Sequence, residues 1–415
     1  MATSKKNIVI LGGSFGGIST AHYLLKHAIP KLASPETYHV VLVSASPEAI
    51  CRPACPRAML SDKFFNQEKL FVSIPGLFEQ YSAENFHFEH ATVINIDHEN
   101  RVLQVKFAEA EQEKSIDFHA LVIATGASTV SPLFGLNKDA ASLRAAWALF
   151  REALPTAKRI VIAGGGPTGV ETAGELGEYL NGRAWWFSSK LDSPKVQITL
   201  VTSGDRILPH LRPSLAQKAE GLLARVGVTV IKGTKVVSVE PANAGTADSL
   251  VTKATVTLAD DKTIEADIYI PAVGTMPNTG FVSKTLLASD GRIENNSSTL
   301  RVDSAGPRIY AIGDAASYAR PAVHTTLNAM PVLCANLKRD LLLAAGTSEA
   351  AAGEDRAFKE DTRETQLVPI GTSKGVGAAM GFAIPSFLVW LIKGRDYWLW
   401  TTGDIWSGKQ WAKES

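Results

Sequence analysis

Two stretches of this sequence repeat one organisation: a β-branched apolar run, a cluster of glycines, then an alanine-rich segment of helical composition. The first reads Asn7-IVIL-GGSFGGISTAHYLLKH and the second Arg159-IVIA-GGGPTGVETAGELGEYL. Each leads to a further β-branched run, Tyr38-HVVLV and Lys195-VQITLV. A strand that turns sharply into a helix and returns as a parallel strand is a βαβ unit, and two such units predict an α/β chain. Strand-like pieces between the units (Thr92-VINID, Val102-LQVKF, Ala120-LVIATGAS) are answered after the second unit by Val236-VSVE, Ala254-TVTL and Asp267-IYIPAVGTMPNTGF, which points to a duplicated architecture.

The glycines carry the chemistry. In GGGPTG, Gly164, Gly166 and Gly169 fall in G-x-G-x-x-G register: the first permits the tight turn, the second lets a pyrophosphate approach the backbone, and the third lets helix and strand pack closely. The helix start supplies amide donors and a positive dipole to the anion. The first cluster keeps Gly12 and Gly17 but places Ser14 where the middle glycine would stand, a small side chain able to donate to phosphate. A third signal, Ile309-YAIGDAAS, is a short strand ending in Gly313-Asp314, where a carboxylate can accept from a sugar hydroxyl or simply close an Asx turn.

Composition excludes several alternatives. The 42 Lys and Arg balance 41 Asp and Glu to a net charge of +1, far from the basic field that nucleic acid requires. Three cysteines cannot frame a secreted disulfide scaffold, and the opening residues carry neither a leader pattern nor a myristoylation glycine, so a cytoplasmic setting is expected. No apolar run approaches membrane-spanning length. His87 and His90 lack a third ligand nearby in sequence, and no metal is expected.

Taken together, GGSFGG, ATG (Ala124, Thr125, Gly126), GGGPTGVE, PAVGTMPNT and YAIGDAA resemble, in order and spacing over about residues 7 to 340, the flavoproteins with two dinucleotide-binding domains. Within them the chain is similar to the type II NADH:quinone oxidoreductases and apoptosis-inducing-factor-like proteins, and most of all to the ferroptosis suppressor protein group. CPRAML, GTSKGVGAAMGF and LIKGRD extend that likeness nearly to the C-terminus. The resemblance implies two Rossmann-like domains, the second inserted in the first. FAD would bind residues 1–130 with 281–345, NADH or NADPH residues 131–280, and residues 346–415 would form a small C-terminal region. It implies flavin contacts at Gly12, Gly13, Ser14, Phe15, Gly16, Arg57, Val93 and Asp314, with Gly17 and Ala124 to Gly126 in the same cofactor site. It also implies Glu171 near the nicotinamide, hydride transfer to the flavin, and a quinone as acceptor. The plainer reading of Glu171 is a carboxylate favoured by the helix dipole.

Departures from the pattern matter as much. The acidic residue expected at the end of each second strand is replaced by Ser44 and Thr202, and Arg206 follows closely. Loss of a carboxylate there removes repulsion against a 2′-phosphate, so NADPH is expected to serve alongside NADH. Cys51 and Cys55 stand near the place of the redox pair of disulfide reductases, but with three intervening residues, one of them Pro53, and no matching C-terminal histidine signature. A disulfide or small-acceptor reductase and an apoptosis-inducing-factor-like redox sensor stay open as alternatives. Five of the eight tryptophans lie at Trp390, Trp398, Trp400, Trp406 and Trp411. With Lys393 and Arg395 they have the composition of an interfacial anchor, giving peripheral contact with an intracellular membrane; burial against the flavin domain or a homodimer interface reads the same residues differently.

Overall fold

The computed structural model describes residues 5–109 and 112–414. Its larger sheet has seven strands in the order Ile309–Ala311, Ala120–Ile123, Lys6–Leu11, Tyr38–Ser44, Phe86–Asp97, Val102–Phe107 and Glu113–Asp117. The first five neighbours run parallel, and the last two pairings are antiparallel. Ile8, Val9, Ile10 and Leu11 are buried, as a parallel strand covered on both faces requires. Phe86–Asp97 serves both halves: Phe86 to His90 pair parallel with Val40 to Ser44, and Ala91 to Asp97 pair antiparallel with Val102 to Phe107.

A second, four-stranded parallel sheet orders Val228–Ile231, Gln197–Val201, Arg159–Ala163 and Ile268–Pro271, and a three-stranded antiparallel sheet packs beside it. The chain leaves the first sheet through Ala127–Ser128 and comes back through Met276–Pro277, which pair with each other. Asn278 knots this crossing: its side chain bonds the Thr125 carbonyl and the Ser128 hydroxyl, and its own carbonyl accepts from Thr125. Only then does Ile309–Ala311 join the first sheet, so the second unit is inserted in the first.

Residues beyond 365 form the antiparallel strands Gln366–Ile370, Lys374–Ala379 and Phe382–Ala383, then helical turns through Ser386–Val389, Trp390–Gly394 and Leu399–Trp406. They lie across both units: Gly174 of the helix Pro167–Asn181 abuts Ile370, and Trp406 stacks on Phe15 at 4.6 Å. No helix among the described residues is long and apolar enough to cross a membrane.

The interfacial reading of this segment needs correcting residue by residue. Trp406 and Trp411 are buried, and His22 and His27 bond the carbonyls of these two residues. Lys393, expected as a headgroup cation, is only 6 % exposed. Helix packing consumed these residues, because the first helix offers an apolar face and hydrogen-bonding histidines to cover. Met380, Phe382, Phe387, Leu391 and Trp400 do remain exposed.

Candidate functional site

The two glycine loops are built alike. Gly12 and Gly164 have φ of +110° and +124°, and their amides bond Val43 and Val201, the last residues of the neighbouring apolar runs. A Cβ at Gly12 would stand 2.3 Å from the Ala124 carbonyl oxygen, and one at Gly164 would stand 2.2 Å from that of Ala272. Gly17 and Gly169 close the turns: a Cβ there would lie 1.8 and 1.9 Å from the carbonyl oxygens of Gly12 and Gly164. Only glycine satisfies these approaches.

Ser44 and Thr202 occupy equivalent places beneath the loops. A Cβ on Gly13 would come 2.7 Å from the Ser44 hydroxyl, and one on Gly165 would come 2.5 Å from the Thr202 hydroxyl. Small side chains at these strand ends let the loops settle. Gly166 differs from its neighbours, since a Cβ built on it meets nothing within 4 Å, directly before the helix Pro167–Asn181. That is an open cradle at a helix start, the form a pyrophosphate site takes. Ser14 caps the helix Phe15–Tyr23 with its hydroxyl unspent on the cap and exposed to the same kind of space.

Around the first loop the structure gathers several expected residues. The Gly16 position faces Ala124, Ile312 and Thr326. Gly126 and Gly313 have φ of +64° and +79°, and Asp314, one-third exposed, lies 3.7 Å from Arg52. Val93 is half-buried at the bulge beyond the Ser44 and His90 pairing. In the second unit the loop after Thr202 folds back, with the Leu208 amide bonding Gly165, and Arg206 gives one guanidinium bond to Pro209 while its buried Nε has no partner.

Arg57 departs from expectation. Its side chain is 3 % exposed, and all five N–H groups are engaged. They go to both Glu175 oxygens at 2.9 and 2.8 Å and to the carbonyls of Gly394, Arg395 and Gly371. No donor is left for a flavin. The residue is instead a clasp joining the first unit, the helix of the second and the C-terminal segment. Burial disfavours its charge, yet the Glu175 carboxylate outweighs that and holds the guanidinium above its ordinary range. The Tyr397 hydroxyl adds a bond to Glu175 at 2.9 Å. Tyr397 and Trp398 reverse the chain with φ of 51° and 70°, a conformation bulky residues adopt only where packing enforces it.

Glu171 lies one turn before Glu175 on the same helix face and is also buried. Its carboxylate meets Lys393 at 2.5 Å, and Lys393 also bonds the Leu367 carbonyl. Burial pushes the Glu171 carboxyl up to about 7, against the opposing pull of Lys393. A carboxyl that titrates near neutrality beside a buried cation can hold and release a proton. Lys393 and Tyr397 were not foreseen; the signal was LIKGRD, whose apolar run before a lone lysine fits a buried cation as well as a lipid-facing one.

Cys51 and Cys55 are fully buried free thiols, both pushed up to about 12 by burial, and Cys51 donates to the Tyr397 carbonyl. Thiols held protonated at neutral pH lack the reactivity of a redox pair.

Comparison with known proteins agrees with this architecture. Residues 6–331 match the pyridine nucleotide-disulphide oxidoreductase family. Oxidoreductase phnG of Penicillium herquei is 63 % identical over 414 residues, spanning 100 % of this chain and 99 % of that protein. Human ferroptosis suppressor protein 1 is 26 % identical over 407 residues, 95 % of this chain and 94 % of its own length. Among solved structures, the sulfide:quinone oxidoreductase of Aquifex aeolicus shares the fold, with a TM-score of 0.68 at 16 % identity over 97 % of this chain and 92 % of that one. The chain therefore belongs to the pyridine nucleotide-disulphide oxidoreductase family, and it is an oxidoreductase.

Proposed function

We propose that the chain is an FAD-dependent NAD(P)H:quinone oxidoreductase, with FAD at the loop Gly12–Gly17 and the nicotinamide donor at the loop Gly164–Gly169. The observation that carries this reading is the pair of equivalent glycine turns, one opening on a cradle that a Cβ at Gly166 would fill, together with Glu171 buried against Lys393. Gly12, Gly17, Ser44 and Ala124 shape the first site, and the backbone amides at the start of the helix Phe15–Tyr23 would donate to a pyrophosphate bound there. FAD, when bound, supplies a two-electron carrier between donor and acceptor.

Quinone reduction takes two electrons and two protons. The reduced nicotinamide provides both electrons and one proton, so one proton must come through the protein. The Glu171 carboxyl, half protonated near neutrality, is the group placed to hold it, with Lys393 holding the carboxylate after release. Thr202 in place of an acid, and the unpartnered Nε of Arg206, support acceptance of a 2′-phosphate and hence of NADPH. The quinone named for the Aquifex relative is consistent with such an acceptor, and the exposed apolar side chains after Met380 suit contact with a membrane that holds one. The buried, protonated Cys51 and Cys55 weigh against disulfide reduction.

The test is anaerobic. NADH or NADPH should bleach the flavin absorbance of the purified protein, and a short-chain quinone should restore it within the turnover time. Bleaching that persists after quinone, with a change of oligomeric state on reduction, would replace this reading with a redox sensor.

A further inference from the structure

Between the helix Pro167–Asn181 and the strand Gln197–Val201, the chain carries a surface loop whose composition the oxidoreductase chemistry does not use. Trp185, Trp186 and Phe187 are consecutive and 72, 82 and 96 % exposed. Three adjacent aromatic rings in water are costly at about 25 cal/mol per Å² of apolar surface, and contiguous exposed apolar surface marks an interaction site.

The exposure is not that of a slack segment. Arg225, at the end of the helix Pro213–Ala224, donates to four loop carbonyls: Ala184 at 3.2 Å, Trp185 at 3.0 Å, Trp186 at 3.3 Å and Ser188 at 2.9 Å. The Ala184 amide returns a bond to Arg225, and the Leu191 amide bonds Ala224. One guanidinium thus holds the backbone in a fixed arch while the rings point outward. Neither indole N–H has a partner among the described residues, so both are free for a polar headgroup or glycerol oxygen.

We propose that Trp185, Trp186 and Phe187 insert into the interfacial layer of a lipid bilayer and seat this enzyme on the membrane. A bilayer suits the convex shape, since it needs no complementary pocket, and paired indoles are the side chains that settle where apolar chains meet headgroups. Charge agrees: with Arg183 paired to Glu178 and Lys190 3.6 Å from Asp192, Lys195 leaves the loop net positive, which favours an anionic surface. The loop is also continuous with the C-terminal segment, because Arg183 bonds both Glu178 and the Ile370 carbonyl, and Glu178 reaches Thr372. The inference rests on the quinone reading only for where the acceptor resides.

The experiment compares the holoenzyme with the triple variant Trp185→Ser, Trp186→Ser, Phe187→Ser. It measures partition onto sonicated vesicles of phosphatidylcholine and phosphatidylserine, and quenching of tryptophan fluorescence by brominated lipid. Partition should fall at least tenfold and quenching should fall with it, leaving only what the exposed Trp390 and Trp400 contribute, while turnover with a short-chain water-soluble quinone stays unchanged. Equal partition of variant and wild type overturns the proposal, as does absence of wild-type binding. A variant that turns a wild-type dimer into a monomer with vesicle binding unaltered assigns the loop to a second copy of the chain instead. Failure of wild-type turnover with the soluble quinone would strike the quinone reading alone, since vesicle partition is measured without substrate.

Discussion

Glu171 and Glu175 share a helix face, and their partners give them opposite tasks. Glu175 accepts two bonds from Arg57 and one from Tyr397, so its charge is fully committed. Replacing Arg57 by Met would leave that charge buried and unpaired, a loss of roughly 3–5 kcal/mol that should appear as a lower Tm, whereas Arg57→Met with Glu175→Met should recover most of it. Glu171 is bonded to Lys393 and pushed up to about 7 by burial, with Glu175 and Arg57 also acting on it; under the proposed function it exchanges its proton in the working range. As a proton donor it acts below that value and is spent above it. The rate of quinone reduction should therefore fall as pH rises through about 7, and Glu171→Gln should lower the rate and remove that limb; a variant profile superimposable on the wild type would refute the role. The place of Glu171 on the helix was legible because it sits two residues after Gly169, where the turn fixes the helix start. Lys393 was not, since its partner is more than two hundred residues away and only docking of the C-terminal segment makes the lysine internal.

At the level of elements, the strand, glycine and helix order was readable because each part carries its own physical signature: buried β-branched runs, glycines forced by close approach, and an alanine-rich helix. The C-terminal helices carried none, since their aromatic residues suit a membrane, a core or an interface equally. The glycine turns make a sharper claim than a motif match does. A Cβ at Gly169 collides with the Gly164 carbonyl, whereas one at Gly166 enters empty space. Gly169→Ala should therefore lower Tm and abolish nicotinamide binding together. Gly166→Ala should leave Tm unchanged while raising the Kd for NADH at least tenfold, with flavin content retained in both. Thermal melts and titrations of flavin bleaching distinguish the two; a Gly166→Ala protein that binds NADH normally would remove the pyrophosphate from that cradle.

Across the whole molecule, the C-terminal segment is a clamp fastened to the first unit and reaching into the second. Its fastening at the first helix depends on a neutral histidine. His22 Nε2 lies 2.8 Å from the Trp406 carbonyl, which can only accept, so the proton is on Nε2 and Nδ1 accepts from the Tyr81 hydroxyl at 2.9 Å. Stacking on Phe78 at 4.2 Å completes a pocket in which burial lowers the His22 pKa to about 4, in spite of the opposing bond to Trp406. In the unfolded chain the same ring titrates near 6.5, so between 6.5 and 4 the unfolded state binds more protons and stability falls as pH falls. His119, also held at about 4 by burial, adds to the same slope. Because the clamp delivers Lys393 to Glu171, loosening it removes the cation bonded to that carboxyl. Acidification from pH 7 to 4.5 should therefore quicken amide hydrogen exchange in Leu399–Trp411 before it does so in the buried strands Lys6–Leu11 and Arg159–Ala163. Exchange that quickens in all three together would make the clamp and the core one cooperative unit. His22→Gln, able to donate to Trp406 without titrating, should reduce the pH dependence of the clamp while leaving that of His119 in place.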